Sequence, residues 1–311
     1  MASNLSNAIF KTLIYADIFD YPLTKDEIWQ KLIKIKIKND KLKSAIRSLS
    51  HAKLKDLKLI KYINGYYFLQ GKKEIVTLRQ RRKRWSEKKL KIVKKIVPLL
   101  RLIPSIKLIG ITGAMAINNA KEDDDIDLFI VSSRDLLWTT RLLATLLLQI
   151  IGRRRQPGEI HIKDRVCLNM FVEENHLSVP PNERDLFTAH EVTQMKPIYY
   201  TNQTYQKFLR ANQWVRKYLP NAIGIKNALK TPRMVARRQL RSCGRDSSEV
   251  EKSGMPVFHS LEKISKYFQL WYMKKRRTTE VIADGIIRFH PQDARKWVLK
   301  KYKQRLADFG L

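Results

Sequence analysis

The stretch from Ile106 to Val131, IKLIGITGAMAINNAKEDDDIDLFIV, decides how this chain is read. Leu108-Ile109-Gly110-Ile111-Thr112 is an apolar run suited to a buried strand. It breaks at Gly113-Ala114, and Met115-Ala116-Ile117 then opens a short helix. After ten intervening residues beyond Ala114 a second strand pattern follows, Asp125-Ile126-Asp127-Leu128-Phe129-Ile130-Val131. Side chains alternate across a strand, so Asp125 and Asp127 are expected on one face, a two-residue step apart. Two carboxylates that close repel each other, and the arrangement calls for a hard cation, Mg²⁺ or Mn²⁺, between them. The small residues at the bend leave backbone N–H groups open to a phosphate at a helix start. A phosphate cradle opposite a two-carboxylate metal site is the apparatus for nucleotidyl transfer.

Strand, glycine bend, and then Asp-hydrophobic-Asp-hydrophobic on the next strand resembles the signature of the DNA polymerase beta nucleotidyltransferase superfamily, especially its minimal nucleotidyltransferase branch. The resemblance covers Ile106 to Val131 closely and extends by element order to Val172. It implies an enzyme in which Mg²⁺ on the Asp pair binds the triphosphate of an NTP, while an acceptor hydroxyl attacks the α-phosphorus and pyrophosphate leaves. On that resemblance Thr112, Gly113 and Ala114 hold nucleotide, Asp125 and Asp127 ligate the metal, and Asp125, Asp127 and Asn169 form the catalytic set. Two positions depart from the family. Ala114 stands where the family has Ser or Gly, so a hydroxyl is missing there. The family's third carboxylate falls, in the strand pattern Arg165 to Val172, on Asn169, an amide that has no charge and cannot act as a base. Glu159, Asp164 and Glu173 are the neighbouring acids that would have to stand in.

Upstream, an apolar-periodic helix through Ile9, Leu13, Ile14 and Ile18 ends near Pro22. The capping box Thr24 to Glu27 opens a second helix. A third is expected after Asn39-Asp40, burying Leu42, Ala45, Ile46 and Leu49 and leaving Lys41, Lys43, Ser44 and Arg47 outward. Strand runs Leu59 to Ile63 and Tyr66 to Leu69 flank Asn64-Gly65, a strong hairpin signal because both turn positions need φ > 0. This order resembles a winged helix-turn-helix, whose third helix enters the major groove. The residues that follow form a strongly basic helix, Glu74 to Val97, ended by Pro98. Its run Arg81-Arg82-Lys83-Arg84 is expected to contact nucleic-acid phosphates.

The whole chain of 311 residues carries 62 Lys+Arg against 29 Asp+Glu, a formal charge of +33, which points to a polyanionic partner. Its two cysteines, Cys167 and Cys243, exclude a disulfide framework and cysteine-rich zinc modules. No segment reads as a signal peptide or membrane span, so a cytoplasmic protein with no membrane partner is expected. Leu136 to Ile151 reads as a core helix, with Arg153-Arg154-Arg155 after it as phosphate candidates beside Lys163, Arg165 and Lys196. Arg184 to His190 resembles the Arg-polar-x-x-x-x-His pattern of HEPN ribonucleases, with His190 read as a structural histidine. Helices are expected over Tyr205 to Leu219, Ser260 to Ile282 and Ala294 to Leu306, with a loop over Arg237 to Gly254 and the aromatics Tyr267, Phe268, Trp271 and Tyr272 in a core.

The expected fold class is α+β: a winged helix over 1–70, a basic linker helix over 71–105, a nucleotidyltransferase mixed sheet with flanking helices over 106–200, and a helical domain over 201–311. The partners are NTP and nucleic acid. A regulator that binds DNA and senses nucleotide without turnover is the other reading, motivated by Ala114 and Asn169.

Overall fold

Helix α1, Ala2–Asp17, opens the computed structural model, which describes residues 2–42, 60–72, 74–222, 255–274, 281–288 and 294–311. Strand β1 (Leu23–Thr24) leads into α2 (Lys25–Lys31), whose start carries the expected capping box. The Glu27 N–H donates to Thr24 Oγ1, and the Thr24 N–H to Glu27. Residues 39–42 begin a further helix, with Lys41 exposed and Leu42 buried. Lys43, Ser44 and Arg47 lie outside the described residues. The hairpin β2 (Ile60–Ile63) and β3 (Tyr66–Leu69) turns at Asn64-Gly65 with φ of 50° and 87°, and β1 joins β3 to give a three-stranded sheet.

Helix α3 (Ile75–Leu100) is longer than its sequence suggests, because Pro98 sits inside its last turns. Its inner stripe takes in three cations. Arg79 donates to Glu27 at 2.7 Å, and Lys89 places its ammonium 2.9 Å from the Glu122 carbonyl, 2.6 Å from the Asp124 carbonyl and 2.8 Å from Asp164 Oδ1. Arg82 donates to the Phe19 carbonyl at 3.0 Å and to Asn119 Oδ1 at 3.3 Å. Arg82 is therefore buried, and its expected place among the phosphate-contacting residues is corrected. At helical spacing it falls on the same stripe as Arg79, Ser86 and Lys89, whereas Arg81, Lys83 and Arg84 stay exposed.

Beyond α3 the chain forms β4 (Ile106–Ile111), the one-turn α4 (Gly113–Ala116), β5 (Ile126–Ser132), α5 (Leu137–Ile150) and β6 (Val166–Glu173). Next come α6 (Leu186–Gln194), β7 (Lys196–Tyr200), α7 (Thr204–Ala211), α8 (Met255–Lys274), the hairpin β8 (Val281–Ala283) and β9 (Ile286–Arg288), and α9 (Ala294–Asp308). The architecture is α+β. A six-stranded mixed sheet has the order β7-β4-β5-β6-β9-β8, with β5 and β6 parallel and the other pairings antiparallel. Alternation in β5 sends Ile126, Leu128 and Ile130 into one core under α3 and α5, and Phe129 and Val131 into a second core. That second core also holds α1 residues, Phe208 of α7 and Val298 and Tyr302 of α9.

The C-terminal expectation is corrected in two respects. Val281 to Arg288 does not continue a helix. β-branched residues flank Asp284-Gly285, Gly285 has φ of 67°, and the hairpin extends the central sheet through β6. A side chain on Gly285 would also run into His176. Helix α9 packs on α1, where Phe10 and Phe309 lie 5.0 Å apart and Arg305 pairs with Asp17, so the chain's two ends share one core. The aromatics of α8 also differ from expectation, since Tyr267, Phe268, Trp271 and Tyr272 are exposed. Arg237 to Gly254 lies outside the described residues.

Candidate active site

The acidic run is divided between structure and site. Glu122 pairs with Lys163 at 2.7 Å, and Asp124 accepts the Lys121 N–H while its carbonyl holds Lys89. Asp125 stands just before β5 and Asp127 on it. Their carboxylates converge with the Cys167 thiol, the three donor atoms lying within 4.8 Å of one another. Cys167 is there because β6 runs parallel to β5 and pairs Cys167 with Asp127 in register. A register shift between Asp127 and Phe129 then moves Asn169 along the strand. The residue across from Asp127 is thus Cys167, and Asn169 lines the adjoining cavity instead.

Gly113 faces this group. Its φ of 62° suits glycine, and a Cβ there would sit 3.1 Å from Asp127 Oδ2. The Thr112 N–H donates to the Asp127 carbonyl, which ties the bend to β5. The Thr112 hydroxyl is buried without a hydrogen-bond partner, and Ala114 is exposed.

Two residues that the sequence reading did not place at the site complete it. Arg155 donates to Asp125 at 2.7 Å, positioned because residues 153–155 run beside the start of β6: the Arg155 N–H donates to the Val166 carbonyl, and the Val166 N–H to the Arg153 carbonyl. Glu191 of α6 comes in beside the Gly113 bend and lines the cavity, so a carboxylate stands near the donor expected to meet a phosphate. The triplet 153–155 gave a generic signal for Arg155. For Glu191, which follows the conspicuous His190, the sequence carried none, because only the packing of α6 on α4 brings it in. The acids considered as stand-ins lie against other partners: Glu159 against Arg165, Asp164 against Lys89, and Glu173 against His176, whose Nδ1 is 3.7 Å away.

Burial and the neighbouring Asp125 charge push the Asp127 carboxyl up to about 7. Burial also pushes Glu191 up to about 7, opposed by Lys31. Burial, and then the charges of Asp127 and Asp125, raise the Cys167 thiol, so it stays protonated. The site thus concentrates carboxylates, with Arg155 paired to Asp125 and Lys31 acting on Glu191. Beside it a cavity of about 370 Å³ is lined by Thr112, Asn169 and Glu191 near the acids, and by apolar groups including Phe129, Met170, Val172 and Phe187.

Arg184 and His190 do not meet. Arg184 donates to Val179 and Ser178, while His190 is buried, stacked 4.2 Å from Tyr15, and held well below its usual pKa by burial. The exposed Arg81, Lys83, Arg84 and Lys41 are not part of the acid site. Comparison of the chain with family models, with curated proteins and with solved structures gave no match.

Proposed function

We propose that this chain is a Mg²⁺- or Mn²⁺-dependent nucleotidyltransferase that moves a nucleoside monophosphate from an NTP to an acceptor hydroxyl. The observation that carries the reading is the convergence of Asp125 and Asp127 opposite the Gly113 bend, next to a cavity of small-molecule size. The donor set suits a hard dication. Two carboxylates supply oxygen ligands, burial and then the Asp125 charge raise the Asp127 carboxyl at a cost that a cation relieves, and the protonated thiol is a bystander. Asp125 and Asp127 would hold the metal, which when bound supplies charge neutralisation at the triphosphate.

The chain's own groups have separate tasks. Thr112 and Gly113 hold the nucleotide, the Gly113 N–H donating to a phosphate oxygen. The Glu191 carboxylate, which lines the cavity, takes the proton of the acceptor hydroxyl. The hydroxyl oxygen bonds to the α-phosphorus, the bond from that phosphorus to the bridging oxygen breaks, and pyrophosphate leaves. Incubation with labelled NTPs, Mg²⁺ or Mn²⁺ and a panel of hydroxyl acceptors tests the reading. Label transfer lost in Asp125→Ala/Asp127→Ala supports it, and transfer that survives the double substitution refutes it.

A specific observation favours the second reading, a nucleotide-sensing DNA-binding regulator. Arg155 already neutralises Asp125, and neither Cys167 nor Asn169 supplies a third carboxylate. Nucleotide binding that depends on Asp127 but is followed by no transfer to any acceptor selects it, together with DNA affinity that falls steeply with salt and weakens in Arg47→Ala.

A further inference from the structure

Helix α8 is built inside out. Its inner edge is polar. Glu262 accepts the Trp138 and Thr139 N–H groups at 2.7 and 2.8 Å, capping the start of α5, and Gln269 donates to the Trp138 carbonyl at 2.8 Å, with Ser265 buried between them. Its outer side is apolar. Leu261, Ile264, Phe268 and Trp271 recur at one-face helical spacing with Tyr267 beside them, and Tyr267 and Trp271 are 77% and 66% exposed. Exposed Lys263 and Lys274 border this face, while the helix's one acid, Glu262, is turned inward. Helix α5, packed against α8, leaves Leu143, Leu146 and Ile150 exposed as well.

Contiguous apolar patches on a water-facing surface mark interaction sites. The surrounding charge selects the occupant. A second copy would bring +33 against +33 with lysines facing lysines. A nucleic acid would use the lysines and stack on Trp271, but it offers nothing to Leu261, Ile264, Leu143 or Leu146. An anionic lipid surface satisfies every component. Aliphatic groups enter the acyl boundary, Trp and Tyr rings sit at headgroup level, and lysine stems reach back to anionic phosphates. The acid site is on the opposite face of the sheet, because β5 alternation puts Asp127 with Phe129 and away from the core beneath α5. Docking through α5 and α8 leaves that site open to water.

We propose that the outer face of α5 and α8 docks this protein onto an anionic membrane surface, lying along the bilayer without crossing it. Among the described residues no helix is long and apolar enough to span. Co-sedimentation of the full chain with vesicles tests this, using phosphatidylcholine alone and equal parts phosphatidylcholine and phosphatidylglycerol, with tryptophan emission followed in parallel. Binding to the anionic vesicles with a blue shift is expected, weakened about tenfold in Phe268→Ser/Trp271→Ser and again in Lys263→Glu/Lys274→Glu. Both pairs are exposed, so circular dichroism and thermal midpoint should match wild type. Three results overturn the proposal: no sedimentation with anionic vesicles, undiminished binding in the Phe268/Trp271 variant, or a stable wild-type dimer that this variant turns into monomer.

Discussion

Two clusters of charge grow from one acidic run, and they are completed to different degrees. Around Lys89, three donors of one ammonium meet three oxygens, from Glu122, Asp124 and Asp164, at 2.6 to 2.9 Å. Around Asp127, carboxylates from β5, its leading edge and α6 crowd together with a single close guanidinium, and the Thr112 hydroxyl goes without a partner. A saturated cluster is what a structural joint requires, since each buried donor left unmet is costly. An unsaturated one stores unfavourable charge that a bound cation or a proton relieves, which is characteristic of functional sites.

The largest effect is expected at the joint. Lys89 links α3 to the loop before β5 and to Asp164, so Lys89→Ala strands two carbonyls and a carboxylate. Urea unfolding should show a loss of about 3–5 kcal/mol. A loss below about 1 kcal/mol would mean that water or another cation completes the cluster, and the difference between the two regions would vanish.

The second effect has the opposite character. Asp127→Asn removes a charge that burial and Asp125 oppose, so its thermal midpoint at pH 8 should equal or exceed that of wild type. Nucleotidyl transfer should nonetheless fall by about a hundredfold or more. A variant that is both less stable and fully active would place Asp127 with the structural acids.

Proton linkage sharpens the same contrast. Asp127 and Glu191 rise to about 7 from ordinary values of 3.8 and 4.5, so between those limits the folded chain holds more protons than the unfolded one. Their contribution is therefore fullest below about pH 4 and is lost as pH rises to about 7. Differential scanning across that range should show wild-type stability falling relative to Asp127→Asn and Glu191→Gln, by about 1–2 kcal/mol for each. Parallel profiles would contradict the burial of these carboxyls.

Sequence and structure diverge at identifiable places. Local chemistry was legible: the Thr24 cap, the Asn64-Gly65 turn, the β4 and β5 strands and the Asp125/Asp127 juxtaposition all follow from periodicity or short-range hydrogen bonding. What escaped depended on register or on long-range packing. One shift between β5 and β6 exchanges Asn169 for Cys167 opposite Asp127, and no spacing rule reveals a bulge in a parallel pair. Glu191 and Arg155 reach the site from α6 and from a bridge beside β6. The Asp284-Gly285 turn was readable by the same rule as Asn64-Gly65, but the apolar run before it fitted a helix equally well.

The smallest expected effect is at Arg81, one residue from Arg82 on α3. Arg82 and Arg81 have the same chemistry, yet the helical turn points one at the Phe19 carbonyl and Asn119 and the other at solvent. Arg82→Ala leaves those acceptors unmet and should cost about 1–3 kcal/mol in urea unfolding. Arg81→Ala should change stability by less than about 0.5 kcal/mol. If the exposed stripe of Arg81, Lys83 and Arg84 tracks a phosphate backbone, the Arg81 variant should also lower the slope of log affinity against log salt by about one, uniformly across DNA sequences. Should Arg81 and Arg82 prove interchangeable in both measurements, the inner stripe of α3 is not the joint between the N-terminal elements and the central sheet, and the basic run is an undivided surface.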